Sequence, residues 1–111
     1  MKRIEIKQGD QFEIPLRITA NGLPVDDTIA ERVEFFLGPI RKLWEADGTG
    51  AVTLADGRFL FPLTQEETLA MPAGAMLPVD VRIKFIGGSV KGKKIPVATV
   101  RVSDARSEEV L

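Results

Sequence analysis

The sequence predicts an all-β protein, an antiparallel sandwich of about seven to eight short strands. Apolar and polar residues alternate over most of the chain, which is the period of a strand with one buried and one exposed face. Turn-forming residues recur about every 8–12 residues, as they do in antiparallel sandwiches. A parallel sheet is not expected, because its strands are buried on both faces and lose their polar positions.

Two strands are predicted before the first strong turn. The first covers residues 2–7. The second covers residues 11–19 and has the clearest alternation in the chain, with four apolar residues on one face: Phe12, Ile14, Leu16 and Ile18. Pro15 donates no ladder hydrogen bond, so this strand is expected at a sheet edge or at a bulge. Asn21-Gly22 is a strong turn signal, and residues 23–27 are expected to cross as an extended segment.

The middle of the chain contains shorter apolar segments. Residues 29–32 are expected to hold one loose turn before a strand at residues 33–37. Residues 40–46, which include Trp44, fit either a short return strand or a loop. Residues 51–54 are apolar enough for a further strand.

One short helical turn is predicted between two strands. Residues 58–63 and residues 79–85 alternate as strands. Between them, Thr64 and Glu67 form a capping box, in which a hydroxyl and a carboxylate satisfy the free amides at a helix start. This motif places the helical turn near residues 64–71, before a proline and a glycine that end it.

The last part of the chain is predicted as a loop, a strand and a tail. Residues 87–92 are rich in glycine and form a hairpin loop, and residues 94–103 form the last strand. We expect a single domain at residues 1–103 and a polar C-terminal tail at residues 104–111. The number of strands and the spacing of the turns favour an immunoglobulin-like sandwich.

The composition argues against most enzyme classes. The chain contains no cysteine, histidine or tyrosine. Without cysteine there is no disulfide and no thiolate metal site, and without histidine the commonest general base and metal ligand is missing. The formal net charge of −1 gives no reason to expect a nucleic-acid partner. We therefore predict no enzymatic activity, no cofactor and no nucleic acid.

No signal peptide and no membrane span are predicted. Met1-Lys2-Arg3 is similar to the start of a signal peptide, but charged residues interrupt the stretch that follows. The longest uncharged run, Thr68 to Val79, is far shorter than the roughly 20 residues of a membrane helix. We expect synthesis in the cytoplasm without a signal peptide, and no membrane partner.

One glycine-rich segment is similar to a phosphate-binding loop. Gly87, Gly92 and Lys93 have the required spacing. However, Lys94 stands where a hydroxyl must bind magnesium, and a strand follows instead of the helix that would hold a phosphate. A basic surface hairpin is the preferred interpretation.

The acidic residues are interpreted as turn and cap residues. Four aspartates are candidate calcium ligands by residue type: Asp26, Asp27, Asp47 and Asp56. Their spacing does not follow a calcium loop, and aspartate is common in turns because it bonds nearby backbone. Glu66 and Glu67 are adjacent on the helical turn and point apart, and a carboxylate-only glycosidase needs two such groups to converge in a cleft.

Two groups of residues are candidates for an interaction surface. The first comprises large apolar side chains predicted to face outward: Phe36, Trp44 and Ile86. If these side chains cluster, they form a patch for contact with a partner or with another copy, because monomers rarely leave a large apolar patch exposed to water. The alternative is that they belong to a second layer of the core. The second group comprises lysines of the hairpin loop, Lys91, Lys93 and Lys94, which form either a surface for an anionic partner or an edge protected against aggregation.

Six phrases of the sequence occur in the order of a known family. They are residues 7–16, 21–26, 33–35, 63–68, 71–74 and 79–82. With these phrases the chain resembles small β-sandwich proteins of tailed bacteriophages and prophages, including the N-terminal domains of baseplate upper proteins and related tail-associated proteins. The family has an aromatic-rich strand where this chain has Met76, Leu77 and Pro78.

The resemblance implies a non-enzymatic structural or adaptor protein of a bacteriophage or prophage particle. Such a protein resides in the virion, at the tail or baseplate, and its partners are other virion proteins or further copies of itself. The family has no catalytic residues to carry over. The alternative function is a β-sandwich module that binds a carbohydrate or another small ligand, with Trp44 as the stacking platform.

Overall fold

The computed structural model describes residues 2–20, 22–90 and 95–103, and these form an all-β fold with one short helix. Within them the elements are, in chain order, β1 (Lys2–Lys7), β2 (Phe12–Leu16), β3 (Thr19–Ala20), β4 (Leu23–Pro24), β5 (Ala30–Leu37), β6 (Ile40–Glu45), β7 (Thr53–Ala55), β8 (Arg58–Leu63), α1 (Gln65–Leu69), β9 (Met76–Phe85) and β10 (Ile95–Ser103).

Two main sheets contain eight of these strands, in agreement with the predicted number. A five-stranded sheet has the order β1-β10-β9-β5-β6, and a three-stranded sheet has the order β2-β8-β7. The two-residue strands β3 and β4 pair only with each other. All neighbours are antiparallel except β1 and β10, which run parallel.

The parallel pairing of β1 corrects the prediction of a purely antiparallel protein. β1 lies at the edge of its sheet, with Ile4 and Ile6 buried and Arg3 and Glu5 exposed. An edge strand with one exposed face alternates in this way beside either kind of neighbour. Its pattern therefore contains no information about the direction of the pairing.

The buried faces of the two main sheets pack against each other. The ring of Phe35 in β5 lies 5.6 Å from that of Phe59 and 6.0 Å from that of Phe61, both in β8. Burial of such apolar surface is the main favourable term in folding. Fully buried side chains come from both sheets, among them Ile14, Leu16, Val33, Leu37, Leu63, Val79, Val81 and Ile83.

Several strand limits differ from those predicted. β2 lies at a sheet edge, as Pro15 predicts, but it ends at Leu16, although Ile18 is still buried. The segment predicted to cross at residues 23–27 instead begins with β4, which pairs back onto β3. The predicted turn Asn21-Gly22 lies between β3 and β4, but Asn21 is outside the described residues.

Two further strands begin earlier than predicted, and the segment at residues 40–46, for which a strand and a loop were both possible, contains a strand. β5 starts at Ala30, which is fully buried opposite Phe85, where a loose turn was expected. β9 starts at Met76, because the end of β10 pairs with this segment. This strand is β6, which covers Ile40–Glu45.

The capping box at the start of α1 is confirmed. The Thr64 hydroxyl accepts from the Glu67 amide (3.1 Å), and the Glu67 carboxylate accepts from the Thr64 amide (2.9 Å). The buried Thr68 hydroxyl accepts from the Gly9 amide and donates to the Asp10 carbonyl, each at 2.9 Å. These bonds fix the helix where the chain passes from the three-stranded to the five-stranded sheet.

A turn follows β9 at the other end of the molecule. The Gly88 amide donates to the Phe85 carbonyl (3.0 Å), and Gly87 and Gly88 have φ angles of 99° and 92° that favour glycine. The end of the predicted loop (residues 91–92), the two lysines that follow it and the predicted tail at residues 104–111 lie outside the described residues. Within the described part of the chain, no helix is long and apolar enough to cross a membrane.

Candidate functional site

Trp44 lies in the core, which corrects the prediction that it faces outward. Only 4% of the residue is exposed, and its ring packs edge-on against Phe59 with centroids 5.2 Å apart. The prediction was wrong because Lys42 shares the inner face of β6 with Trp44 while Leu43 lies on the outer face, which disguises the alternation. Trp44 is therefore not available as a surface platform.

Phe36 and Ile86 do not form one patch. Phe36 is half-buried on the outer face of the five-stranded sheet, where its register partner in β9 is Asp80. Ile86 is 57% exposed and follows the end of β9, six residues beyond Asp80. At about 3.3 Å per residue, roughly 20 Å separates the two positions along the strand.

Ile86 belongs instead to an apolar turn, residues 86–90, which we call the distal turn. Val90 at its other end is 52% exposed, and it forms an isolated bridge with Lys84. The lysines of the predicted basic patch, Lys91, Lys93 and Lys94, directly follow this turn in the sequence but lie outside the described residues. The basic patch stays a prediction.

The outer face of the five-stranded sheet carries paired charges. Ion pairs join neighbouring strands there: Arg32–Glu45, Arg41–Glu34, Arg82–Glu34 and Lys84–Glu31. In each pair the arginine or lysine side chain is well exposed to solvent, so each pair contributes at most about 1 kcal/mol. Because the charges largely compensate one another, this face offers little net field to a charged partner.

An apolar groove lies at the end of the sandwich that carries α1. Its volume is about 510 Å³, within the range of roughly 300–1,000 Å³ that is typical of binding pockets. The lining residues are Pro39, Ile40, Glu66, Glu67, Ala70, Met71, Pro72 and Leu77. They come from the β5–β6 turn, from α1 and the segment after it, and from the start of β9.

The strand register explains why these segments meet. Leu37 at the end of β5 pairs with both Ile40 and Val79, so the β5–β6 turn and the start of β9 lie at the same end of the sheet. Leu77 lies on the same inward-facing side of β9 as the core residues Val79 and Val81, but two residues before Val79, at the end of the core. There it is half-buried and faces the groove.

An ion pair lies beside the groove. Lys42 Nζ donates to Glu67 Oε1 (2.7 Å) and to the carbonyl of Pro62 in β8 (2.6 Å), and it lies 5.5 Å from the centroid of the Phe61 ring. Burial by itself raises the pKa of Glu67. The hydrogen bonds from Lys42 and Thr64 outweigh burial and hold this pKa below its ordinary value. Glu67 is therefore ionised at neutral pH and is not suited to act as a general acid.

Glu66 is the second carboxylate of the groove. It is exposed, and it forms no ion pair with another residue in the described part of the chain. The groove thus combines an apolar surface with one uncompensated negative charge, which favours an apolar partner that also carries positive charge.

The aspartates at Asp26 and Asp47 hold turns together. The Thr28 hydroxyl and amide donate to Asp26, and the Thr49 hydroxyl and amide donate to Asp47. These hydrogen bonds lower the pKa of both carboxyl groups. Among residues 2–20, 22–90 and 95–103, no three acidic, histidine or cysteine side chains are grouped so that they could hold a metal ion.

The groove is not apparent from the sequence. Its lining comes from residues 39–40, 66–67, 70–72 and 77. Strand pairing brings residues 39–40 and 77 to the same end of the sheet, and the bonds of Glu67 with Lys42 and of Thr68 with Gly9 and Asp10 hold the helical segment at this end. One signal was visible, the uncharged run from Thr68 to Val79, which supplies Met71, Pro72 and Leu77.

Comparisons of this chain with known protein families, with curated proteins and with solved structures found no match.

Proposed function

We propose that this chain is a non-enzymatic structural or adaptor protein of a bacteriophage or prophage particle, and that it acts through protein–protein contacts. The observation that carries the proposal is the apolar groove beside α1. The setting, in the tail or baseplate of the virion, comes from the sequence phrases that resemble phage tail-associated proteins.

The chemistry of the groove suits a protein partner. Ile40 and Leu77 are half-buried and Pro72 is exposed, so apolar surface is left accessible. Met76, beside Leu77 in the chain, is 50% exposed. Protein interfaces combine an apolar centre with a polar rim, and Glu66 supplies a charged group at this edge. Burying the groove against a neighbour removes the apolar surface from water.

Two of the resembling phrases contain residues that line the groove. Residues 63–68 contain the capping box and most of α1, and residues 71–74 form the segment that leads from α1 to β9. Met71 and Pro72 in the second phrase line the groove. The part of the chain that resembles phage proteins therefore contains part of the proposed contact site.

We also infer an immunoglobulin-like topology. The order β10-β9-β5-β6 facing β2-β8-β7 corresponds to strands G-F-C-C′ facing B-E-D of that fold. α1 then lies in the E–F connection. The chain departs from the constant-type arrangement in two ways: β1 pairs with the last strand instead of with β2, and β6 occupies the C′ position.

The proposal is tested by mixing the purified chain with purified tail and head proteins from the same phage or prophage, and by measuring complex masses with native mass spectrometry. We expect a complex with at least one of them. Leu77→Glu, which puts a charge in the groove, should abolish it. Because Leu77 is half-buried, Ala70→Gln provides a second groove variant at an exposed position.

The matched control is Leu23→Glu, which changes a leucine that is 59% exposed on β4, away from the groove. Its complexes should equal those of the unmodified chain. A strictly monomeric chain that binds none of these proteins contradicts the proposal. So does a complex that tolerates both groove variants.

The alternative function of carbohydrate binding is not favoured. It was predicted on the basis of Trp44 as a platform for a sugar ring, and this side chain is packed against Phe59 inside the protein. A glycan panel probed with the unmodified chain is expected to show no binding.

A further inference from the structure

We propose that the groove and the edge of β6 at residues 40–42, which we call the open edge, together bind an extended segment of a partner protein. The segment adds a short strand to the five-stranded sheet at the open edge. This inference rests on the proposed function, because it takes the groove as part of the contact site. It goes further by naming the occupant, a segment in strand conformation that carries apolar side chains and a basic side chain.

The open edge has backbone groups that point away from the sheet. The Leu43 carbonyl accepts from the Val52 amide (3.0 Å), which lies in the loop after β6, so the backbone groups of Leu43 point away from β5. These directions alternate along a strand, so the amide and the carbonyl of Arg41, two residues earlier, point the same way. Neither Arg41 group forms a backbone hydrogen bond with a turn or loop in the described part of the chain.

The second half of β6, in contrast, is covered by the loop that follows it. The Gly48 amide donates to the Glu45 carbonyl (3.0 Å). Gly50 lies so close to Leu43 and Glu45 that no Cβ atom would fit. The loop therefore protects this half of the strand and leaves Arg41 uncovered. Uncovered amide and carbonyl groups at a sheet edge are a template for pairing with another strand.

The groove lies beside the open edge. Ile40, which precedes Arg41, lines the groove, and the ammonium group of Lys42, which follows it, is directed inward to Glu67 and Pro62. Because side chains alternate along a strand, a segment paired with Arg41 directs every second side chain to the side of the sheet on which the groove lies. In recognition by strand addition, main-chain hydrogen bonds give affinity and pockets for alternate side chains give specificity.

The groove selects the side chains of the segment. Ile40 and Leu77 are half-buried and leave apolar surface accessible to an apolar side chain. Lys42 compensates Glu67, whereas Glu66 is exposed and forms no ion pair with another residue in the described part of the chain. A lysine or arginine of the segment would be attracted to Glu66, and added salt would screen this attraction.

A helix or an acidic segment fits these features less well. The backbone groups of a helix are bonded within the helix itself, so a docked helix would leave the Arg41 amide and carbonyl without partners. An acidic segment would bring a second negative charge to Glu66. The extended, basic segment is the occupant that satisfies both the open edge and the groove.

The side-chain preference is tested by selecting a displayed library of random peptides, about ten residues long, against the purified chain. We expect enrichment of peptides with apolar residues at every second position and a lysine or arginine. Glu66→Lys should instead enrich peptides with an acidic residue. Asp27→Lys makes the same kind of charge change at an exposed position before β5, and it should enrich the same peptides as the unmodified chain. No enrichment, apolar residues at helical spacing, or an unchanged charge preference with Glu66→Lys would overturn the proposal.

The backbone contact is tested with a selected peptide. Its binding should slow hydrogen exchange of the Arg41 amide in the unmodified chain by about tenfold or more. Arg41→Pro removes the donor at an edge position, where proline is tolerated, and should weaken binding by about tenfold or more. Arg41→Ala also loses the ion pair with Glu34 but keeps the amide, so it should bind normally. Unchanged exchange at Arg41 overturns strand addition whether or not Arg41→Pro folds, and so does full binding by Arg41→Pro.

The outcomes separate this inference from the proposed function. A complex with a tail or head protein that is lost with Ala70→Gln, but is retained by Arg41→Pro with unchanged exchange at Arg41, overturns strand addition and leaves the proposed function standing. A chain that binds neither these proteins nor any displayed peptide overturns both.

Discussion

Lys42 and Glu67 connect the two sheets through an ion pair whose Nζ and Oε1 atoms lie 2.7 Å apart. Lys42 belongs to β6, the edge of the five-stranded sheet, and Glu67 lies on α1, directly after β8 of the three-stranded sheet. Only 16% and 26% of these side chains are exposed, so solvent screens this pair less than the pairs of the outer face. The pair thus holds together the end of the sandwich that forms the groove.

The first prediction concerns the pH dependence that Glu67 causes. Its pKa in the folded protein lies below the ordinary value of 4.5. The unfolded chain binds a proton at Glu67 more readily than the folded protein does. The stability that the ionised Glu67 adds to the fold is therefore complete above pH 4.5 and is lost as the pH falls through the lower pKa of the folded protein. At neutral pH, Glu67→Gln should reduce the free energy of unfolding by about 1–3 kcal/mol.

Urea unfolding between about pH 3 and about pH 7 measures this effect. The loss of unfolding free energy caused by Glu67→Gln should shrink at the acidic end, whereas any loss caused by the control Leu23→Ala, at an exposed position without a charge, should be the same at every pH. A difference between the unmodified chain and Glu67→Gln that stays constant across this range would contradict the assignment.

The second prediction is that Trp44 acts as a core residue. Trp44→Ala should reduce the free energy of unfolding by about 3–5 kcal/mol, because it leaves a cavity against Phe59. Leu23→Ala, at an exposed position, should change it by less than about 0.5 kcal/mol. Thermal and urea unfolding of both variants provide the comparison, and a normal melting temperature for Trp44→Ala would place the indole outside the core.

The local features of this fold were predictable from the sequence. The capping box involves groups only three residues apart, Thr64 and Glu67, so its geometry is set within one turn of chain. The alternation in β8 and β9 likewise identifies which side chains are buried, since successive residues of a strand face opposite sides.

Features that depend on distant partners were not predictable. Lys42 is acceptable on an inward-facing position of β6 only because Glu67 and the Pro62 carbonyl receive its ammonium group, and neither is near it in sequence. Without these partners the pattern of β6 places Trp44 on the wrong face. The groove depends on distant partners in the same way, since two of its walls meet through the pairing of Leu37 with Ile40 and Val79 and the third is held by the Lys42–Glu67 ion pair.

The third prediction concerns the Thr68 hydroxyl, which is buried between the helix and the β1–β2 connection. Thr68→Val keeps the shape of the side chain but leaves the Gly9 amide and the Asp10 carbonyl without this partner, at a cost of about 1–3 kcal/mol. The Gly9 amide should then exchange its hydrogen faster. Thr68→Ser retains the hydroxyl and should keep the slow exchange, and unchanged exchange in Thr68→Val would refute this role of the hydroxyl.

The fourth prediction concerns Gly50. This glycine is required because another part of the backbone lies close to it, and not because of its position in a turn. A Cβ atom at this position would lie 2.2 Å from the Leu43 carbonyl oxygen and 3.0 Å from the Glu45 amide nitrogen, so the glycine is required by close backbone approach. The same carbonyl accepts from the Val52 amide (3.0 Å), and moving it would break that bond at the edge of β6.

Gly50→Ala should therefore reduce the free energy of unfolding by about 3 kcal/mol or more, because overpacking against backbone cannot be relieved by a change of rotamer. Gly48→Ala is the matched control. Gly48 has a φ of 84° and open space around the added atom, so its substitution costs only the strain of that conformation, about 1–2 kcal/mol. Urea unfolding should rank Gly50→Ala as the more destabilising variant, and the reverse order would mean that conformational strain, and not contact with Leu43, is why glycine occurs in this loop.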